Sequence, residues 1–336
     1  MRLLRVFNSK EAFFCRLGLV VLLLCCSSWG FFVHKTVAQL AIYQLPKQMR
    51  SFFYMNKSEL VQQAPRPDLR RNTDPAEAPR HFIDLESYGD SSAWKMPMHE
   101  EEAVRIYSWD TLKKYGYVPY EILRMKELLT EAFRNGKKDS IVFYATDLGH
   151  YIGDANVPLH VSVNYDGQLT GQNGLHSLWE TLVPVLESDQ YKLYEGHKAH
   201  YLSDPAVAIW EAVRHTATLV PTVFEVERQV SVGFTDSTKY VTETRNGRKY
   251  KNYSSAFAKA YGQRLGTMVN EQLLRSSNLI ADFWYTSWVD AGRPGLGNLL
   301  AVPFERKDRR AFRKEYKAYK NNRLIKDSLL LSKLPL

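Results

Sequence analysis

Every cysteine of this chain, Cys15, Cys25 and Cys26, lies before residue 27. A fold built from the residues after them has no disulfide framework, no thiolate metal site and no cysteine nucleophile. It has to be held by burial, and a chain of 336 residues can bury roughly three quarters of the surface its unfolded form exposes. Seven Trp, 20 Tyr and 16 Phe supply apolar mass for such a core, which excludes a disordered or collagen-like chain.

The amino terminus reads as a targeting segment. Arg2, Arg5, Lys10 and Arg16 stand against one acid, Glu11, and Leu17 to Cys26 is uncharged and nearly all apolar. That run is shorter than the roughly 20 residues a spanning helix needs, and small residues Ser27 and Ser28 follow it. Residues 1–28 are therefore expected to be a signal peptide, cleaved to leave Trp29 first in an exported, periplasmic or secreted bacterial protein. A retained anchor is the competing reading. A lipoprotein is weaker, because Leu-Leu-Leu before Cys25 lacks the small residue expected there.

The net charge of +9 is local rather than global. Residues 1–28 carry three of those charges, and Phe304–Asp327 holds ten Lys and Arg against four acids. Residues 29–303 are then close to neutral, so the basic pI implies no whole-surface attraction to nucleic acid. Phe304, Phe312, Tyr316, Tyr319 and Leu324 are scattered among the tail charges, which predicts a basic amphipathic helix in 304–336. A solvated helix face is the preferred reading of its charges; peripheral contact with anionic lipid is the minority one.

Helical periodicity dominates the rest. Val33, Val37, Leu40 and Ala41 predict a helix over 33–45, stopped by Pro46. Residues 56–80, with Pro65, Pro67, Pro75 and Pro79, read as a long irregular connection of the kind that often serves a site. Helices are expected near 98–114, 119–135 and 139–154, and again from Leu175. Longer ones follow at 205–230 and 254–290, separated by a loop or short hairpin. No repeat, phosphate-binding glycine loop or strand-helix alternation interrupts this pattern, so the fold class is all-α, a single mainly helical domain over 29–303.

Histidines and acids fall together in this helical chain. His150 and Asp154 are four apart, as are His176 and Glu180, so a helix places each pair on one face. His160 follows Pro158, and His81 precedes Asp84 with Asp68 upstream. Imidazole and carboxylate are good zinc ligands in a thiol-free chain, and such ions can activate water and neutralise phosphate oxygens. One such pair alone is commonly a surface contact; two pairs bracketing a further histidine carry more weight.

In order along the chain, these residues resemble the zinc-dependent phospholipase C and S1/P1 nuclease superfamily. The matching pieces are Trp29 with His34, Asp68-Leu-Arg-Arg71, His81-Phe-Ile-Asp84, His150 with Asp154, Pro158-Leu-His160 and Leu175-His176 with Trp179-Glu180. The resemblance implies three zinc ions. One would take Asp68, His81, His150 and Asp154, and a second His160, His176 and Glu180. A third would take the Trp29 amino and carbonyl groups, His34 and a shared Asp154. It also implies that Asp68 helps orient or deprotonate the attacking water, and that Arg71, oriented by Asp84, clamps phosphate. An ordinary ion pair is the rival reading of Arg71 and Asp84.

The branch within that superfamily rests on less. Glu180 in place of an aspartate, Gly171-Gln172-Asn173-Gly174, and the lack of disulfides lean toward phospholipase C acting on phospholipid or a related phosphodiester. A nuclease of single-stranded nucleic acid or a 3′-nucleotidase is the alternative, with Phe143, Tyr144, Tyr151 and Tyr165 as candidate stacking rings, each read first as packing. An exported zinc-binding protein without turnover is the non-enzymatic alternative. No obligate protein partner is inferred. His99, His197, His200 and His215 fall outside the pattern and are expected on the surface or in helix packing, with His197 and His200 a minor candidate metal pair.

Overall fold

The structure, a computed structural model, describes residues 31–245 and 248–334. The expected signal segment and Trp29 lie outside the described residues. The first apolar spacing becomes helix Phe31–Gln44, in which Val37, Leu40, Ala41, Ile42 and Tyr43 are at most 1% exposed. A helix apolar on nearly every side belongs in the middle of a protein. Helices Val118–Arg134, Lys138–Ala155, Pro205–Ser231 and Met268–Asp290 gather with it around one core. Phe53, Tyr120, Phe133, Trp210 and Trp284 fill that core, and each such burial contributes roughly 1.5–3 kcal/mol over leaving the side chain in water.

A second cluster, with Leu159, Trp179, Val223, Phe257 and Tyr261, ties the segment after Leu175 to helix Ser255–Leu265. Among the described residues the architecture is thus all-helical apart from one hairpin, Tyr240–Arg245 with Arg248–Tyr253, in which Tyr240 faces Tyr253.

Element ends depart from the periodicity where backbone chemistry intervenes. The helix expected near 98–114 divides into Glu100–Tyr107 and Trp109–Tyr115 at Ser108, which has φ 69°. The Ser108 hydroxyl accepts from the Thr111 amide at 3.3 Å and so caps the second piece. The 254–290 helix divides at Gly266, φ 66°, a conformation glycine adopts without steric cost. Residues 56–80 are more ordered than expected: they hold helices Lys57–Gln63 and Arg66–Arg70. Pro65 and Pro67 sit at the start of the second, where amides lack helical partners anyway.

The carboxy-terminal helix, Arg306–Lys320, keeps its Lys and Arg side chains outward and buries Phe312 and Tyr319. Tyr319 packs 5.0 Å from the Tyr43 ring and Phe312 packs 5.1 Å from Tyr54. Glu315 accepts from the hydroxyls of Tyr43 (2.9 Å) and Tyr54 (2.8 Å) and pairs with Lys57. Beyond it, Gln39 donates to the Leu329 carbonyl at 2.7 Å and accepts from the Leu331 amide at 2.8 Å. The amphipathic face of the tail is therefore part of the main core. Among the described residues, no helix is long and apolar enough to cross a membrane.

Phe312→Ala is expected to lower unfolding free energy by roughly 3 kcal/mol. Urea denaturation checks this; an unchanged midpoint would mean the terminal helix adds nothing to the core.

Candidate metal centre

Helix Lys138–Ala155 supplies the first pair. His150 and Asp154 are one turn apart and both buried, with Nε2 and Oδ2 separated by 3.3 Å. His150 Nδ1 donates to the Ala64 carbonyl at 3.0 Å, which leaves the Nε2 lone pair facing inward. His160 is fixed the same way. Pro158 opens the short turn Pro158–His160, and His160 Nδ1 donates to the His81 carbonyl at 2.7 Å. The Ile83 amide returns a bond to the His160 carbonyl at 2.9 Å, so these two segments clamp each other.

His81 has the opposite orientation. Its Nε2 lies 3.4 Å from the fully buried Glu77 carboxylate, and its Nδ1 lies 2.9 Å from Asp154 Oδ2 and 3.6 Å from Asp68 Oδ1. His176 and Glu180 meet at 3.1 Å, and His160 Nε2 lies 3.3 Å from the same Glu180 oxygen. Glu180 belongs to a widened π turn, Leu178–Leu182. An ordinary helical bond to the Glu180 carbonyl would need an amide hydrogen from residue 184, which is a proline. The Asp166 carboxylate, from the preceding loop, accepts the Gly174 and His176 amides.

His34 completes the group from helix Phe31–Gln44. It stacks on His150 with ring centroids 4.0 Å apart, its Nε2 is 3.4 Å from Asp154 Oδ1, and its buried Nδ1 has no hydrogen-bond partner. Gly153 permits that approach, because a Cβ there would stand 3.0 Å from His34 Nδ1. Burial, then the neighbouring His150, lowers the His34 pKa to about 4, so its imidazole is neutral.

Three sets thus surround one centre: Asp68, His81 and His150; His160, His176 and Glu180; and His34, His150 and Asp154. Within each set the ligand atoms lie within 4.8 Å of one another. Asp154 turns one oxygen toward His81 and His150 and the other toward His34, so a single carboxylate joins two sets.

The donors suit zinc. Four ligands ~2.0–2.1 Å from a tetrahedral centre are ~3.3 Å from each other. The His81–His150 and His160–His176 nitrogen pairs stand at 3.1 Å, close to that edge. The carboxylates Asp68, Asp154 and Glu180 also bring negative charge into a mostly buried site, which demands positive charge beside it. Burial opposes protonation of His150 and His176, yet Asp154 and Glu180 outweigh it and push each up to about 9. Burial likewise works against an ionised Asp154, but His150 and His160 hold it well below the usual carboxylate range.

Arg71 stands half-exposed at the rim, with Nη1 3.8 Å from Asp68 Oδ1. Asp84 makes no ion pair with it among the described residues; its amide donates to the Tyr115 carbonyl, its carbonyl accepts from the Ser87 amide, and burial with Glu86 raises its carboxyl to about 6. Of the candidate stacking rings, Tyr151 is buried and bonds Glu77, whereas Phe143 and Tyr165 are exposed. His99 and His215 take no part in the centre.

Sequence reasoning missed Glu77 and Arg70. Arg70 forks onto both Glu77 oxygens at 2.9 Å and reaches Asp147 at 3.0 Å, fixing the carboxylate behind His81. The available signal was Glu77 four residues before His81 and flanked by Arg70 and Arg80.

A family model described as S1/P1 Nuclease matches residues 29–283. A search among curated proteins finds no match to the chain.

Asp154→Asn is expected to reduce bound metal at two positions and His176→Ala at one, read as metal content per chain after dialysis; equal losses would contradict the shared carboxylate. Glu77→Gln is expected to weaken metal affinity by about 10- to 100-fold, measured by chelator competition.

Proposed function

The chain belongs to the S1/P1 nuclease family, and from that membership we propose that it cleaves phosphodiester bonds in single-stranded nucleic acid, with 3′-nucleotides as small relatives of that substrate. It is a zinc-dependent hydrolase of that family. The observation that carries the finer reading is the span of the match, residues 29–283, which takes in all nine candidate ligand positions from Trp29 to Glu180. The lean toward phospholipase C rested on single local differences, and nothing in the geometry of the centre singles out lipid.

In this reading Asp68, His81, His150 and Asp154 hold one ion, and His160, His176 and Glu180 a second. His34 and Asp154, with the amine and carbonyl that cleavage would free on Trp29, would hold a third. When bound, zinc lowers the pKa of water and neutralises phosphate oxygens. Asp68 has its side chain 28% exposed, unlike its buried neighbours, so it can meet incoming water and take its proton. Arg71, beside it, offers a planar fork to two phosphate oxygens.

Support for a nucleic-acid substrate comes from the rim. Exposed Tyr165 and Leu169 lie on the loop whose Asp166 holds the His176 amide. Exposed Trp94 lines a cleft with Leu85, Glu86 and Val161, the residue after His160. Aromatic rings such as those of Tyr165 and Trp94 accept a base by stacking, without reading its sequence. Cleavage after Ser28 belongs to the same reading, because only a free α-amine at Trp29 has a lone pair to give.

Zinc-loaded protein beginning at Trp29 is expected to hydrolyse single-stranded DNA and RNA, and to leave phosphatidylcholine intact. Lipid turnover without nucleic-acid turnover would reverse the assignment. Asp68→Asn is expected to lower kcat by about 100-fold or more while the ions that Asp68 does not hold stay bound; unchanged function would favour a zinc-binding protein without turnover.

A further inference from the structure

A second group of metal-type donors lies away from this centre. Residues 191–204 cross the surface with no helix or strand before helix Pro205–Ser231 begins. Within them His197 and His200 both turn toward Asp282, on helix Met268–Asp290. His197 Nε2 is 2.9 Å from Asp282 Oδ1 and His200 Nδ1 is 3.0 Å from the same oxygen, with the His200 amide also donating to it at 2.9 Å.

Holding the segment in place does not require either ring. Its backbone is already tied by the Ala199 amide to the Gln44 carbonyl at 3.0 Å and by the Leu202 amide to the Thr286 hydroxyl at 2.9 Å. The rings are not stacked on each other either, their planes meeting at 70°. What the arrangement adds is a buried carboxylate, 5% exposed, beneath two imidazoles, the outer of which is 62% exposed and open to solvent. The three ligand atoms lie within 4.8 Å of one another.

Gln44 is ten residues along its helix from His34, ~15 Å at 1.5 Å per residue, so this cluster is separate from the centre around Asp154. Two imidazoles and one carboxylate, with a fourth position facing water, are donors that zinc and similar divalent transition metals accept. We propose that His197, His200 and Asp282 form a peripheral divalent-metal site of the zinc type, which clips the 191–204 segment onto helix Met268–Asp290.

The test compares the full mature chain with His200→Ala and His200→Gln, both at an exposed position, the second keeping a hydrogen-bond donor. Zinc alone is the probe. The unaltered chain is expected to bind one zinc more than either variant, while phosphodiester hydrolysis stays the same in all three. Trypsin cleavage at Lys198, inside the segment, is expected to slow by about tenfold in the unaltered chain at free zinc near ten times Kd, and not in the variants. Equal zinc content in all three proteins would overturn the site. Zinc protection that persists in His200→Gln would overturn it too, leaving a hydrogen-bonded anchor. Because the readout is a difference between proteins, loss of metal at the main centre lowers all three counts together and leaves this comparison intact.

Discussion

An imidazole ring offers a lone pair from one nitrogen, and which one is decided by what the other nitrogen donates to. In this protein that decision is made by main chain for two rings, and a buried carboxylate lies close behind a third. The Ala64 carbonyl fixes His150, the His81 carbonyl fixes His160, and Glu77 stands behind His81. Those acceptors belong to the short turns between the larger helices, so the chemistry of the centre depends on where those turns are held.

The turns are held by charge as well as by packing. Arg70 links Glu77 to Asp147, and Arg66 reinforces Asp147 from the same short helix. Both carboxylates are fully buried, and a buried carboxylate persists when charged donors satisfy it. Breaking this network removes more than one pairwise contact, since the same arginine steadies the support of His81 and the helix that carries His150. The residues doing this work are not the ones that face a substrate, which is why mutation of Glu77 and of Asp68 should separate affinity from turnover.

Much of the centre was legible because helical spacing is rigid. Residues four apart on one helix must share a face, so His150 with Asp154 and His176 with Glu180 could be paired before any fold was known. The π turn at Glu180 bends that rule without breaking it. Glu77 was not legible, because an acid in a charged stretch looks like surface until the arginines around it are seen to fold inward. The breaks at Ser108 and Gly266 were missed for a related reason: apolar periodicity passes across a single residue of positive φ. In the tail, helix Arg306–Lys320 buries Phe312 and Tyr319, and the sequence alone could not say what those rings would meet. Local differences at Glu180 and Gly171–Gly174 pointed toward lipid, whereas the match over residues 29–283 points to the nucleases; a few positions weigh less than the span.

The helix that carries His34 is finished by the far end of the chain. Thr36 meets Ser332 at 2.8 Å across 296 residues of sequence, and Gln39 is bonded on both sides by Leu329 and Leu331. Contacts so distant along the chain form late, after shorter-range pairings have closed. Two polar side chains of the helix that carries His34, Thr36 and Gln39, are therefore matched only once residues 329–332 have folded back onto it, so segments almost 300 residues apart complete each other.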